Sequence, residues 1–328
     1  MDIAALLPHV EVFGGVRRYI ELGNAFVRRG HRFTLFTPMG IAPDWLAFSG
    51  IMRPFADLEN ETFDIGLCSE YSILEGFDKL RARQKFFYFV MEGHRREREV
   101  VRRDFRFLGN SEGIARRMEK RYGIVCHRAP GGINPVIFHP LAPEEREPRT
   151  DDEFRVLCYG RIYKRRKGVD VVIRAVEGLS RTRPNVRLIL FDSLVGEDRI
   201  DPRPLVRTRV PVEFHMGLPQ DRMAWLYARA DAFAAAERRA GWSNTVAEAM
   251  ACGLPVVCTP SGTRDFALPG WTALVAPLPS AFLIRRGLRR LMDEETLRRR
   301  LAEAGRARIM EFTWDFLAGR LEGLFGRT

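Results

Sequence analysis

The chain has 328 residues, of which 46% are hydrophobic and 29% are charged, which is typical of a globular protein with two domains. The first residues lack the pattern of a signal peptide, and no apolar run approaches the roughly 18 residues of a membrane span, so we expect a soluble, cytoplasmic protein. The net charge of +11 predicts an anionic partner without saying which one.

In the N-terminal part, short apolar runs alternate with amphipathic stretches, which predicts α/β units on a parallel sheet. The predicted strands are Ile3–Leu7, Arg32–Phe36, Asp64–Cys68, Phe86–Val90 and Phe107–Gly109. The predicted helices are Val16–Arg29, Arg95–Arg103 and Glu112–Tyr122. The charged, proline-containing segment Leu141–Asp152 is interpreted as an interdomain linker.

A second α/β series follows. Its predicted strands are Phe154–Tyr159, Val186–Phe191, Val212–His215 and Pro255–Cys258, and its predicted helices are Gly168–Glu177, Met223–Arg229 and Asn244–Cys252. The fold class is therefore α/β, with two Rossmann-like domains and a crevice between them. Ligands of such sheets bind at the carboxyl ends of the strands. Five cysteines without CxxC spacing predict neither a disulfide framework nor a zinc site.

Three segments carry residues suited to binding a phosphorylated ligand. Gly14 and Gly15 lie where the first strand turns into a helix, and they let backbone amides approach an anion, although a plain tight turn is the alternative. After the strand that ends at Tyr159, Arg161 and Lys167 provide a planar fork and a point charge for one diphosphate. We interpret the intervening residues 164–166 as a solvated basic loop.

The third segment is AERRAGWSNTVAEAMACGLPVVCT. Ser243, Asn244 and Thr245 are residues of the type that caps a helix, and a helix N-terminus attracts phosphate. Glu248 follows one turn later, where a carboxylate can accept hydrogen bonds from a ribose diol. The alternative is that Glu248 caps its own helix.

Taken together, these segments resemble the GT-B glycosyltransferases of family four over nearly the whole chain. The resemblance rests on the GG turn, PGGINPVIFHP (Pro130–Pro140), the GRxxxxxKG segment from Gly160, AGWSNTVAEAMACGLPVV, and the closing FTWDFLAGRLEGLF. It implies two Rossmann-like domains facing across a cleft: an acceptor-side domain of residues 1–145 and a donor domain of residues 146–310. It also implies that a helix in residues 311–328 crosses back to the first domain.

The resemblance further implies retaining transfer of a hexose-type sugar from a nucleotide-diphospho-sugar to a glycan or lipid-linked acceptor, in cell-envelope polysaccharide or glycolipid synthesis. Arg161 and Lys167 then hold the donor diphosphate together with the Asn244 and Thr245 amides, and Glu248 binds the ribose.

One position departs from the family pattern. The first glutamate of the paired-glutamate signature is Ala240 here. We hypothesise that Glu237 supplies the missing carboxylate. The alternative is an exposed loop charge paired with Arg238 or Arg239.

His94 follows an apolar strand at the point where the family places a histidine close to the sugar, so it is the candidate for that role. The alternative is a histidine facing solvent at the end of the strand. Glu92 is a weaker neighbouring candidate, and Asn110 and Ser111 are candidates for contacts to acceptor or donor.

The sequence predicts no metal site and no cofactor beyond the donor substrate. No Asp-x-Asp pair follows a strand as a divalent metal would require. Arg161, Lys167, the GG amides and the helix N-terminus can instead stabilise the departing nucleoside diphosphate.

The arginine-dense runs Arg95–Arg103 and Ala115–Tyr122 suggest peripheral attachment to an anionic membrane surface, with a solvated helix face as the alternative. Aromatic residues do not alternate with these runs, which argues against nucleic-acid binding. Four other functions remain open: a nucleotide-sugar-binding protein without transfer activity, a sugar-nucleotide epimerase, a phosphorylase, and a basic nucleic-acid-binding protein.

Overall fold

The computed structural model describes residues 1–91, 93–148, 152–194 and 199–326. The chain divides into two compact units: unit 1 comprises Met1–Gly132 and Phe312–Thr328, and unit 2 comprises Ile133–Glu311. Residues 133–145, which the sequence analysis assigned to the first domain, thus belong to unit 2, where the buried Phe138 packs against Tyr227. Glu92 and residues 149–151 of the predicted linker lie outside the described residues.

Unit 1 is built on a parallel sheet. Its strands are β1 (Asp2–Leu6), β2 (Arg32–Thr37), β3 (Ile51–Pro54), β4 (Thr62–Cys68), β5 (Arg81–Phe89), β6 (Arg106–Gly109) and β7 (Cys126–Arg128), in the order β3-β2-β1-β4-β5-β6-β7. Its helices before Gly132 are α1 (Gly14–Arg28), α2 (Leu74–Lys79), α3 (Glu97–Val100) and α4 (Glu112–Tyr122). The central strands are apolar and buried, as expected when both faces of a parallel sheet are covered.

Unit 2 contains a second parallel sheet. Its strands are β8 (Phe154–Tyr159), β9 (Val186–Asp192), β10 (Val212–Met216), β11 (Ala232–Ala235), β12 (Val256–Cys258) and β13 (Leu274–Val275), in the order β10-β9-β8-β11-β12-β13. Its helices are α5 (Val169–Ser180), α6 (Met223–Ala228), α7 (Asn244–Ala251), α8 (Ala281–Asp293) and α9 (Glu295–Ile309). Because all these strands run in one direction, their carboxyl ends share one edge of the sheet.

The last helix, α10 (Trp314–Phe325), returns to unit 1 and packs on α1, which confirms the predicted crossing. Its apolar face is buried in the same core as α1, through Trp314, Leu317, Ala318, Leu321 and Phe325. The Thr313 hydroxyl accepts a hydrogen bond from the Phe316 amide at 3.2 Å and so caps the helix. Ion pairs from Arg28 to Asp315 (3.0 Å) and from Arg29 to Glu322 support the packing.

Most predicted elements are confirmed, and Glu112–Tyr122 and Phe154–Tyr159 have the predicted bounds. The predicted helix Arg95–Arg103 is wrong in extent, since only Glu97–Val100 is helical and the chain before it forms a loop. No described helix is long and apolar enough to cross a membrane.

Candidate functional site

The predicted donor-binding residues of unit 2 lie at the carboxyl edge of its sheet. Asp192 ends β9, Arg161 follows β8, Glu237 follows β11 and Thr259 follows β12. The four strands are consecutive neighbours in the sheet, so residues far apart in sequence meet at this edge. This is where ligands bind in open α/β sheets.

Arg161 is buried and held by Asp192. Its Nε lies 3.2 Å from both carboxylate oxygens of Asp192 and its Nη2 lies 2.7 Å from Oδ1. The Tyr159 hydroxyl also donates to Asp192 Oδ1, at 3.2 Å. Burial alone lowers the pKa of Arg161, but the hydrogen bonds and charge of Asp192, together with Tyr159 and Tyr163, outweigh burial and raise this pKa, so the guanidinium stays charged. Its Nη1 makes no hydrogen bond to a described residue, so this group is available to an anion.

Lys167 lies beside Arg161. The Arg161 Cζ and the Lys167 Nζ are 5.3 and 5.4 Å from the centroid of the Tyr159 ring, so one aromatic ring contacts both cations. The Lys167 ammonium forms an ion pair with the carboxylate of Glu237. The structure therefore brings Arg161, Lys167 and Glu237 together.

The loop that carries Lys167 is joined to the loop that carries Glu237. The amide of Arg238 donates to the carbonyl of Arg166 at 2.8 Å. Gly168 has a φ of +65°, and a Cβ there would overlap the carbonyl oxygen of Ala236. Only glycine permits both this backbone conformation and this close approach.

Glu237 is 4% exposed. The alternative of an exposed loop charge paired with Arg238 or Arg239 is wrong, because Glu237 is buried against Lys167 and Arg238 pairs with Asp170 instead. The second carboxylate oxygen of Glu237, Oε2, is buried and has no hydrogen-bond partner among the described residues. A buried oxygen left in this state is a site where a ligand hydroxyl can donate.

The N-terminus of α7 forms another part of the same edge. The Ser243 amide donates to the Gly262 carbonyl at 2.8 Å, whereas the Ser243 hydroxyl is buried without a partner in the described part of the chain. The first turn of α7 has no side-chain cap and no acidic residue, so its amides are available to an anion. Asn244 and Thr245 in this turn are half-buried.

Glu248 is buried one turn into α7 and accepts a hydrogen bond from the Tyr227 hydroxyl at 2.9 Å. Its carboxylate is therefore oriented by a neighbouring helix. Ala240, at the position of the family glutamate, has its amide bound to the Ser261 hydroxyl at 2.9 Å, and its methyl group supplies no acceptor there.

The candidates of unit 1 lie at the corresponding edge of its own sheet. Gly14 and Gly15 begin α1, and the preceding Phe13 provides no side-chain cap. A Cβ at Gly15 would lie 3.4 Å from Oε1 of Glu70, so a carboxylate approaches this turn. Burial raises the pKa of Glu70.

His94 is exposed and lies beyond β5, which ends at Phe89; its ring stacks on Tyr71, with ring centroids 3.8 Å apart. Burial, followed by the charge of Arg95, lowers the pKa of His94. Asn110 donates to the Val90 carbonyl at 2.8 Å, and the Ser111 hydroxyl caps α4 by accepting from the Ile114 amide at 3.2 Å.

The sequence analysis did not identify Asp192, Tyr159 or Thr259 as residues of this edge. Asp192 is the first polar residue after an apolar strand, which is the signal that could have identified it. Among the described residues, no group of three or more histidine, cysteine or acidic side chains is arranged to hold a metal ion.

Comparison with known proteins identifies the family. Residues 143–308 match the family described as glycosyl transferases group 1. One relative is the GDP-mannose-dependent monoacylated alpha-(1-6)-phosphatidylinositol monomannoside mannosyltransferase of Corynebacterium glutamicum. The two sequences are 27% identical over 230 residues, which cover 65% of this chain and 60% of that protein. The chain spans about half to three fifths of the length of its mannosyltransferase and inositol 3-phosphate glycosyltransferase relatives.

Solved structures confirm the fold class. Sucrose-phosphate synthase from Thermosynechococcus elongatus has a TM-score of 0.79 at 19% identity, covering 99% of this chain and 98% of that one. Anabaena HepE in complex with UDP-glucose has a TM-score of 0.77 at 14% identity and full coverage of both chains. At these identities the likeness concerns the fold, which is α/β of the GT-B type with two Rossmann-like units.

Proposed function

The chain belongs to the group 1 glycosyl transferases, and from that premise we propose that it is a retaining hexosyltransferase. It takes a hexose-type sugar from a nucleotide-diphospho-sugar and passes it to a glycan or lipid-linked acceptor in cell-envelope polysaccharide or glycolipid synthesis. The names of its relatives, which include a phosphatidylinositol mannoside mannosyltransferase and a capsular polysaccharide glycosyltransferase, support this acceptor class.

The observation that carries the proposal is the set of unsatisfied polar groups at the carboxyl edge of unit 2. Glu237 Oε2 and the Ser243 hydroxyl are buried without partners in the described chain, and they flank two cations and an uncapped helix N-terminus. A diphosphate would bind Arg161 Nη1, the Lys167 ammonium and the α7 amides. A sugar hydroxyl would then donate to Glu237.

In this scheme the protein's own charges act on the leaving group. As the sugar–phosphate bond breaks, negative charge grows on the nucleoside diphosphate, and Arg161 and Lys167 stabilise it without a divalent metal. Asp192 and Glu237 hold these two cations in place before the donor binds. The buried Glu248 would accept hydrogen bonds from the ribose.

The test is a donor screen followed by a transfer assay. A thermal-shift panel of UDP-, GDP-, ADP- and dTDP-sugars identifies the donor, because a ligand of the folded state raises the apparent stability. The donor is then incubated with glycan and lipid-linked acceptors, and NMR of the product gives the anomeric configuration. An inverted product would refute the retaining mechanism, and the absence of binding to every nucleotide-sugar would refute the proposed function.

A second candidate is a protein that binds nucleotide-sugars without transferring the sugar. The observation in its favour is Ala240, which replaces the glutamate of the family signature. Donor binding without release of nucleoside diphosphate, across all acceptors, would favour this candidate.

We also propose that the protein meets an anionic membrane surface from the cytoplasmic side. Part of the basic run in unit 1 is neutralised, because Arg96 pairs with Glu75 and Glu99, and Arg103 pairs with Asp78 and Glu99. Arg95, Arg98 and Arg102 are exposed and form no ion pair with a described residue. They provide the charge for such a contact.

A further inference from the structure

Glu97, the first residue of α3, is a carboxylate almost completely removed from solvent. Its side chain is 1% exposed. Oε1 accepts hydrogen bonds from the backbone amides of Gly93 and His94, the latter at 3.1 Å. Oε2 accepts from the Tyr122 hydroxyl at 2.9 Å. The carboxylate thus joins the loop after β5 to the end of α4.

The charge of this carboxylate is also compensated from α4. Arg117 Nη1 lies 3.4 Å from Oε1, and Arg121 Nη1 lies 3.8 Å from Oε2. Burial alone raises the pKa of Glu97, but the hydrogen bonds from Tyr122, Gly93 and His94 and the charge of Arg117 together outweigh burial and hold this pKa below its ordinary value. A charged acceptor makes stronger hydrogen bonds to amides than a neutral one does. The loop at residues 93–94 is therefore held at a defined position.

The same loop determines how the ring of His94 is presented. The Arg96 amide donates to His94 Nδ1 at 3.2 Å, and the ring lies flat on Tyr71. In the neutral ring one nitrogen accepts and the other carries the proton. Because Nδ1 accepts, the proton is on Nε2.

A third set of contacts fixes the position of Arg96, the residue whose backbone amide donates to His94 Nδ1. Its guanidinium donates to the Tyr71 carbonyl and pairs with Glu75 (2.6 Å) and Glu99 (2.7 Å). Tyr71 therefore contacts both the ring of His94 and the side chain of Arg96. As a result Nε2–H is the remaining polar edge of the ring.

We propose that Glu97 is a positioning residue for the transfer reaction. Its carboxylate binds the amides of Gly93 and His94 and so fixes the conformation of this loop. In that conformation His94 is held as the Nε2–H tautomer, which donates a hydrogen bond to the substrate. This inference rests on the proposed function, because it concerns the role of His94 in that reaction. It assigns His94 the part of a donor and excludes that of a general base acting through Nε2.

The first test is spectroscopic and requires no substrate. Long-range 1H–15N spectra of the full chain, with His94 assigned through a His94→Asn variant, report which ring nitrogen is protonated. We expect the Nε2–H form in the native protein and a mixture of tautomers in Glu97→Ala. A native Nδ1–H form, or an unchanged tautomer in Glu97→Ala, would overturn the inference.

The second test is kinetic and uses the identified donor and acceptor. We expect Glu97→Ala to lower kcat by about tenfold or more, with no more than about a twofold change in the Kd of the nucleoside diphosphate, which binds in unit 2. Glu97→Gln, whose carbonyl can still accept from both amides, should recover most of kcat. The control is Glu119→Ala, at an exposed carboxylate of α4 outside this network. An unchanged kcat in Glu97→Ala would overturn the inference.

Thermal unfolding of each variant separates positioning from folding. If Glu97→Ala does not fold, Tyr122→Phe replaces it, since it removes one hydrogen bond to the carboxylate and leaves the loop sequence unchanged. In Tyr122→Phe we expect a smaller fall in kcat than in Glu97→Ala and a mixture of His94 tautomers. A kcat and a tautomer both equal to those of the native protein would overturn the inference. If the native chain transfers no sugar, the proposed function fails, while the spectroscopic test still decides the role of Glu97.

Discussion

The ammonium group of Lys167 and the carboxylate of Glu237 form an ion pair between two loops that are 70 residues apart in sequence. Lys167 follows β8 and Glu237 follows β11, and these two strands are neighbours in the sheet. The pair holds a cation at the carboxyl edge of unit 2 and leaves the second oxygen of Glu237 without a partner in the described chain. Both groups are therefore ready to meet a ligand.

Lys167→Met should weaken binding of the nucleoside diphosphate. A hydrogen bond to a charged group contributes about 1.5–3 kcal/mol, so we expect Kd to rise by about 10- to 150-fold. Lys164→Met is the matched control, because Lys164 lies three residues earlier and is exposed. Isothermal titration calorimetry with UDP and GDP measures the Kd of each variant and of the native chain. Equal losses in the two variants would contradict the assignment and indicate only a general basic surface.

Glu237→Gln should distinguish binding of the sugar from binding of the diphosphate. If Glu237 accepts from a sugar hydroxyl, the affinity for the nucleotide-sugar falls by about tenfold while the affinity for the nucleoside diphosphate does not fall. Glu213→Gln, at a half-buried carboxylate paired with Arg229 and His215, is the control. An unchanged affinity for the nucleotide-sugar would remove Glu237 from the site.

Gly168→Ala should destabilise unit 2 and displace Lys167. The added Cβ would overlap the Ala236 carbonyl in a left-handed backbone conformation, and we expect a loss of about 2–4 kcal/mol in the free energy of unfolding. Gly217→Ala is the control: φ is +68° there, but a Cβ meets nothing within 4 Å, so about 1–2 kcal/mol is expected. Urea unfolding followed by tryptophan fluorescence compares the two. Similar losses of unfolding free energy in the two variants would show that the contact between Gly168 and the Ala236 carbonyl adds nothing to the cost of an alanine there.

Transfer should persist after removal of divalent metals. Because the charges of Arg161 and Lys167 are proposed to stabilise the leaving diphosphate, we expect the rate in EDTA to stay within about twofold of the rate with Mg²⁺. The measurement is product formation by the dialysed enzyme with and without added Mg²⁺. Complete loss of activity in EDTA, restored by the metal, would contradict the proposed mechanism.

The combined variant Arg95→Gln, Arg98→Gln and Arg102→Gln should reduce sedimentation with anionic vesicles at low salt. Each basic residue near an anionic surface contributes about 1 kcal/mol, and salt screens this attraction. The control changes three exposed arginines of unit 2 to glutamine, namely Arg207, Arg209 and Arg222, and so removes the same net charge. If the native chain fails to bind anionic vesicles at low salt, the membrane proposal is wrong.

Local pattern was sufficient to predict many elements. Glu112–Tyr122 has a helical apolar spacing, a serine cap before it and a glycine after it, and all three signals lie within the segment. Phe154–Tyr159 is an apolar run followed by a glycine. In contrast, β11 was missed because the alanine-rich segment Ala232–Ala235 has no β-branched residue, and alanine favours helices.

The predicted helix Arg95–Arg103 shows where local propensity is overruled. Its arginines and glutamates favour a helix, but the Glu97 carboxylate binds the amides of Gly93 and His94, so helical structure begins only at Glu97. The partners that hold this carboxylate, Arg117 and Tyr122, lie on another element. No pattern within the segment contains that information.

By itself the sequence determined the α/β class, the order of the motifs and the residue types available for a phosphorylated ligand, because these follow from composition and from short-range spacing. Only the tertiary structure decided that Arg161 is held by Asp192, that Glu237 pairs with Lys167 and not with Arg238, and that His94 Nδ1 accepts from the Arg96 amide. Each of the two ion pairs joins loops that follow different strands, and the crossover connections of a parallel sheet bring such loops together only once the whole sheet has formed.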